Sequence, residues 1–119
     1  MERINIAEKF ALFNEAWSPK VIGELNGQHV KLARIEGEFE WHHHDHEDEL
    51  FLVIEGEMVM HYRDRDLVLR TGELVIVPRG VEHKPASANG ARILLFEPAS
   101  TLNTGNVTSD RTVEAPEWI

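Results

Sequence analysis

The 119-residue chain contains no cysteine. Disulfides and thiolate metal sites are thereby excluded, which leaves His, Asp and Glu as its strong metal ligands and suits a reducing cytosol. Basic residues are outnumbered by acidic ones, 12 to 21, and the formal net charge of -9 argues against a nucleic-acid backbone or an anionic membrane as partner. Long apolar runs are missing: no stretch approaches the roughly 18 residues of a membrane span. The N-terminus carries no signal-peptide pattern, so a cytoplasmic location is expected. A chain of this length is expected to form one domain, 1–119, and its 42 % hydrophobic content supports a packed core.

Helical periodicity is also scarce. Asn5 followed by Glu8 forms a capping-box-like pair, with Ile6, Phe10 and Phe13 on one face, and predicts a short structural helix over 5–13 that Ser18-Pro19 ends. From Lys20 onward the pattern is that of strands. Asn26-Gly27 predicts a tight hairpin between 20–25 and 28–35, because both turn positions favour positive φ. Strands are expected at 50–54, 57–62, 67–70 and 74–77, with a further hairpin at Asn89-Gly90 leading into 91–96. About eight short, regularly spaced strands and one helix predict an all-β sandwich or barrel with its core over about 20–97. The tail, 98–119, reads as a coil wrapped on the barrel, with Trp118 as an aromatic anchor.

In the segment 49–54, Phe51 and Val53 share the face of Glu49, while Leu50, Leu52 and Ile54 occupy the other face. An antiparallel sheet with one wet face would alternate apolar with polar, so both faces are expected to be covered. The second covering is either another subunit, making a homodimer, or the N-terminal helix and tail.

The chain is organised around Gly37 to Gly56, where four of the seven histidines fall within five positions. If this segment is extended, His42 and His44 project together and His43 projects away. Glu49, across a turn at 45–48, can reach the same point. Imidazole nitrogens and a carboxylate oxygen suit iron, manganese, nickel, copper or zinc. His46 offers a rival pairing with His44, and His29 and His61 have no partner at ligand spacing. Glu40 shares the parity of His42, and Arg34 and Arg92 are candidates for orienting an anionic substrate, with plain surface roles as the default.

Two punctuated motifs then occur in order: Gly37, His42, His44, Glu49, Gly56, and after 15 intervening residues Gly72, Pro78, Gly80, His83. Together they resemble the paired signatures of the cupin superfamily of small jelly-roll β-barrels. Two positions depart from the pattern. The gap from Gly37 to His42 is one residue shorter than usual, and Ser87 stands where the second motif ends in asparagine.

The resemblance implies a cupin-type double-stranded β-helix barrel. It also implies His42, His44, Glu49 and His83 as ligands of one divalent transition metal ion per chain, manganese or iron first, with zinc, nickel and copper compatible. A metal-dependent enzyme acting on a small organic substrate, dioxygenase-like or isomerase-like, is the expected function. The alternative is a non-catalytic module that binds a small ligand or the metal itself.

Overall fold

The computed structural model describes residues 1–119. It is nearly all antiparallel β, with one short helix, α1 (Ile6–Phe10), and six strands: β1 (Lys20–Leu25), β2 (Gln28–Glu38), β3 (Glu49–Tyr62), β4 (Asp66–Arg70), β5 (Leu74–Val77) and β6 (His83–Pro98). The strand order is β1-β2-β6-β3-β4, and β5 pairs with β3. The Asn5 side chain accepts from the Glu8 N–H and so caps α1, which is shorter than the span the sequence suggested.

Two long strands bend the sheet into a barrel. The first half of β3 pairs with β5, Glu49 opposite Val77, and its second half pairs with β4, Glu57 opposite Arg70. Both halves pair with β6, and the register shifts at Val53/Glu55 and Gly56/Val59. The turn expected at Asn89-Gly90 is absent, since β6 continues past it, paired to β2 and β3 before and after an irregular stretch. Gly90, at φ 88°, lies where β6 bends, and on the β2 side the ladder shifts between Ile35 and Gly37. A strand hydrogen-bonded on both sides cannot fold back, so the flexible dipeptide is used as a kink. Fusion of two pairs of expected strands accounts for six being found where about eight were expected.

Inward parity places eleven buried apolar residues in the barrel, among them Ile35, Phe51, Val53, Met58, Met60 and Ile93. A smaller outer cluster, Phe10, Phe13 and Leu32, seats α1 on the sheet with Ile54, Leu94 and Ile119 against it. Fully burying side chains of this size contributes roughly 1.5–3 kcal/mol each, so the interior outweighs the outer cluster. The tail is pinned at its end by Ile119 N–H to Val21 O, 3.0 Å, and Trp118 beside it is more than half exposed.

Gly56 carries a sharp local requirement at the bend of β3. Its φ is 97°, and a Cβ there would lie 2.7 Å from the Gly90 carbonyl oxygen. Gly56→Ala is therefore expected to cost about 2–4 kcal/mol from strain and overlap together. Urea unfolding measures it, and a loss under about 0.5 kcal/mol, the usual range for surface changes, would contradict this packing.

Candidate metal centre

Three chain segments deliver the site. His83 opens β6, Glu49 opens β3, and His42 is held by two backbone hydrogen bonds to His83: His42 N–H to His83 O at 3.1 Å and the reverse at 2.9 Å. That antiparallel bridge sets parity in an otherwise irregular segment. His42 and His44 point inward, while His43 is half-exposed and paired with Asp45. Exposure is 2 % for His42, 4 % for His44, 3 % for Glu49 and 0 % for His83, so all four polar groups are withdrawn from water. One donor atom from each lies within 4.8 Å of every other. His46 is exposed in the 45–48 loop and His29 and His61 are elsewhere; none of the three joins the group.

The hydrogen bonds around the rings orient the lone pairs. His42 Nδ1 lies 2.8 Å from Glu40 O, and His83 Nδ1 lies 2.9 Å from Val81 O. A carbonyl only accepts, so each Nδ1 is the donor and each Nε2 is left with an inward lone pair. Yet His83 Nε2 is 3.0 Å from Glu49 Oε1, and His44 Nε2 approaches the same oxygen to 2.8 Å without hydrogen-bond alignment. A ring-nitrogen lone pair this close to a carboxylate oxygen is repelled unless a proton or a metal cation lies between them. With bonds of about 2.1 Å, cis ligands on a first-row ion stand roughly 3 Å apart, so the donor set can hold a metal ion.

Burial is the main cause holding the His42 imidazolium down, to about 4 from the usual 6.5, with the neighbouring His83 adding to it. For Glu49, burial alone would raise the carboxyl. Contacts with His44, His83 and Glu97 outweigh it and hold the group below the ordinary carboxylate range. Glu97 is pushed well above that range, by burial first and then by the Glu49 charge. The first histidine is thus neutral and the ligand carboxylate ionised at neutral pH, the forms that bind metals.

A cavity of about 50 Å³, room for a few waters, adjoins His42 and Glu49. Its wall is mainly apolar, with Ile35, Phe51, Ile93 and Leu95 contributing. Trp17 and Phe39, both half-buried, stack on each other at 4.7 Å and line it too. Arg34 and Arg92 lie on the outer face: Arg34 donates to the Phe10 and Phe13 carbonyls, and Arg92 pairs with Glu55. The Ser87 hydroxyl donates to Glu57 O at 2.7 Å, so the motif's altered position is still hydrogen-bonded.

The sequence reading missed the tail's part in the site. Asn106 N–H donates to His43 O at 3.0 Å, and the Asn106 side chain accepts from His43 N–H at 2.8 Å. Asn103 lines the cavity. A Cβ on Gly105 would overlap the His43 carbonyl and touch the His42 ring. The run Asn103-Thr104-Gly105-Asn106 was visible as turn residues, but nothing local says that it docks behind the ligand segment. Glu97 and Lys31 were also missed, although a lysine on the buried parity of β2 was a signal.

The cupin domain family matches residues 28–96, more than half of the chain. The protein belongs to the cupin domain family. A solved cupin-2 domain protein from Shewanella frigidimarina is 46 % identical, with a TM-score of 0.79 over 80 % of this chain and 93 % of that one. YdbB of Bacillus subtilis is 37 % identical over 83 residues, 69 % of this chain and 67 % of its own length. A 3-hydroxyanthranilate 3,4-dioxygenase of Xanthomonas campestris is 38 % identical over 60 residues. That match spans 47 % of this cupin and only 34 % of the dioxygenase.

Two predictions follow from this geometry. His83→Ala and Gly105→Ala are expected to lower divalent-metal affinity at least about tenfold in a competitive chelator titration, whereas His46→Ala leaves it unchanged. Equal loss in His83→Ala and His46→Ala would contradict the grouping. The second concerns pH. The folded His42 pKa lies below the unfolded value, so between 6.5 and about 4 the unfolded chain takes up the proton and stability of the metal-free protein falls on acidification. Glu97, raised on folding, works in the opposite sense, so the quantity to measure is the difference between wild type and His42→Gln. That difference is expected to shrink by up to about 3 kcal/mol across the window, and a flat difference would contradict a buried neutral His42.

Proposed function

We propose that this cupin is a metal-dependent enzyme, dioxygenase-like, that oxidises a small and largely apolar organic molecule with O2 inside the barrel. His42, His44, Glu49 and His83 would hold one divalent ion, with iron or manganese preferred for the chemistry. Such an ion supplies Lewis acidity and, if redox-active, an electron source, with coordination positions open to small molecules. The carrying observation is the company the cluster keeps: the titratable residues lining the cavity are His42, Glu49 and Glu97 alone. Two of these belong to the ligand set, and the third is tied to Lys31.

An isomerase needs a free, positioned base beside the metal, and this cavity offers none, which favours oxygen chemistry over isomerisation. The chain's own task is then to bind, orient and dry the substrate. Phe51, Ile93 and Leu95 would exclude water, and Trp17 and Phe39 offer flat faces to an unsaturated ring. The similarity to the Xanthomonas dioxygenase supports the same class, without carrying over its substrate.

The test is O2 uptake by iron(II)-loaded protein with a panel of catechols, aminophenols and enediols. Uptake with at least one compound, reduced at least about 100-fold in His44→Ala, is expected. Full metal loading and saturable ligand binding without turnover would instead establish a non-catalytic binding module.

We also infer a homodimer. On the outer face, Leu50 pairs with Ile76 and Phe96, and Leu52 with Leu74 and Leu94, forming two adjacent apolar rows. Leu74 and Ile76 are 53 % and 58 % exposed, and β5 has a free edge, so a second copy would cover both. Light scattering is expected to give twice the chain mass, falling to one chain for Ile76→Lys. A wild-type monomer at tens of micromolar would contradict it.

A further inference from the structure

Lys31 and Glu97 are ionisable groups inside the barrel that the ligand set leaves unused. Lys31 has the parity of Ala33 and Ile35 on β2, and Glu97 that of Leu95 and Ile93 on β6, so both side chains point inward. They are 2 % and 3 % exposed, and Lys31 Nζ lies 3.2 Å from Glu97 Oε1. Glu97 Oε2 is buried with no donor in reach. Leu50 pairs with Phe96, so Glu49 and Glu97, the next positions along β3 and β6, lie side by side on the inward face and line the same cavity. A line of neighbouring polar side chains thus runs from Lys31 through Glu97 to Glu49, and from Glu49 Oε1 to His44 and His83.

Stability is a poor reason for this arrangement. A buried lysine–carboxyl pair must recover the desolvation of its polar groups, and apolar residues of similar volume often serve a core as well or better. What Glu97 touches supplies another reason. Glu49 is unbranched, with several rotatable bonds, and a carboxylate free to turn loses that freedom when it ligates. A contact on its far side removes the freedom beforehand.

We propose that the buried Lys31–Glu97 pair is a positioning device for Glu49, fixing its carboxylate toward His44 and His83 and thereby raising the affinity of the centre for a divalent ion. The inference rests on the reading of the four residues as a metal centre. Lys31 anchors Glu97, and Glu97 holds Glu49. The action lies in the placement of contacts, and an uncharged side chain of the same shape can supply it. Glutamine qualifies: its amide N–H can donate to Glu49, and its carbonyl can accept from Lys31.

The experiment is manganese(II) binding to metal-free protein, followed by loss of the free-ion EPR signal, with thermal unfolding of each metal-free variant alongside. In Lys31→Met/Glu97→Leu, unfolding of the metal-free protein is expected to stay the same or move upward. Its manganese affinity is expected to fall about 10–100-fold, with a changed zero-field splitting of the bound ion. Glu97→Gln is expected to stay within about threefold of wild type. A folded double variant that binds within about twofold of wild type with an unchanged spectrum overturns the positioning role. So does a folded Glu97→Gln that loses as much affinity as the double variant, because charge rather than contact would then be responsible. Should the double variant not fold, Lys31→Met alone decides: a loss of about tenfold supports the proposal and wild-type affinity overturns it. Wild-type protein that takes up no manganese, iron or zinc removes the metal-centre reading and this inference with it; normal uptake by wild type and double variant alike removes the inference only.

Discussion

Two backbone hydrogen bonds between His42 and His83 are the constraint on which the site depends. The segment 39–48 has little regular structure of its own, and the inward direction of His42 and His44 comes from this bridge to the first residue of β6. Because side chains alternate, one fixed residue orients its neighbours: His44 follows His42 inward and His43 turns out. Glu49 and His83 both open strands, where the backbone is already committed by pairing along β3 and β6. The tail reinforces the bridge from behind through Asn106 and Gly105. A remote segment therefore bears on ligand geometry without contributing a ligand.

The barrel makes that convergence consequential. Four polar groups with almost no solvent contact would be an expensive arrangement if left uncompensated in an apolar interior. Part of the compensation is visible, since Glu40 O and Val81 O accept hydrogen bonds from the Nδ1–H groups. The remainder, inward ring nitrogens facing a carboxylate oxygen, calls for a proton or a cation among the donors, and the four residues can hold a metal ion. Lys31 and Glu97 extend the same polar line to the opposite side of Glu49. The rest of the cavity is apolar, which sets the kind of molecule that fits and limits the proton chemistry the wall can perform.

Local chemistry was legible where it acts locally. Asn26-Gly27 predicts the β1–β2 turn because nothing else competes for those residues, and Asn26 and Gly27 both adopt positive φ. The same dipeptide type at Asn89-Gly90 gives no turn, because β6 on either side of it is held by both β2 and β3. The alternation through Glu49, Phe51 and Val53 forecast the barrel interior, and the split outer face is seen as Ile54 under α1 beside the open Leu74 and Ile76. The grouping of His42, His44 and Glu49 was readable from strand parity. Bringing His83 to them needed the family's second motif, since periodicity says nothing about contact between distant strands. Tail docking and the Lys31–Glu97 pair are tertiary facts, with one faint trace in the lysine on a buried parity.

The central claim is that the four residues form a metal centre, and its most direct test is the metal content of untagged protein purified without a nickel column, combined with X-ray absorption at the metal edge. The account predicts about one equivalent of iron or manganese per chain, surrounded by nitrogen and oxygen neighbours and no sulfur. Protein that carries no metal, and gains no thermal stability when divalent iron, manganese or zinc is added, would contradict it.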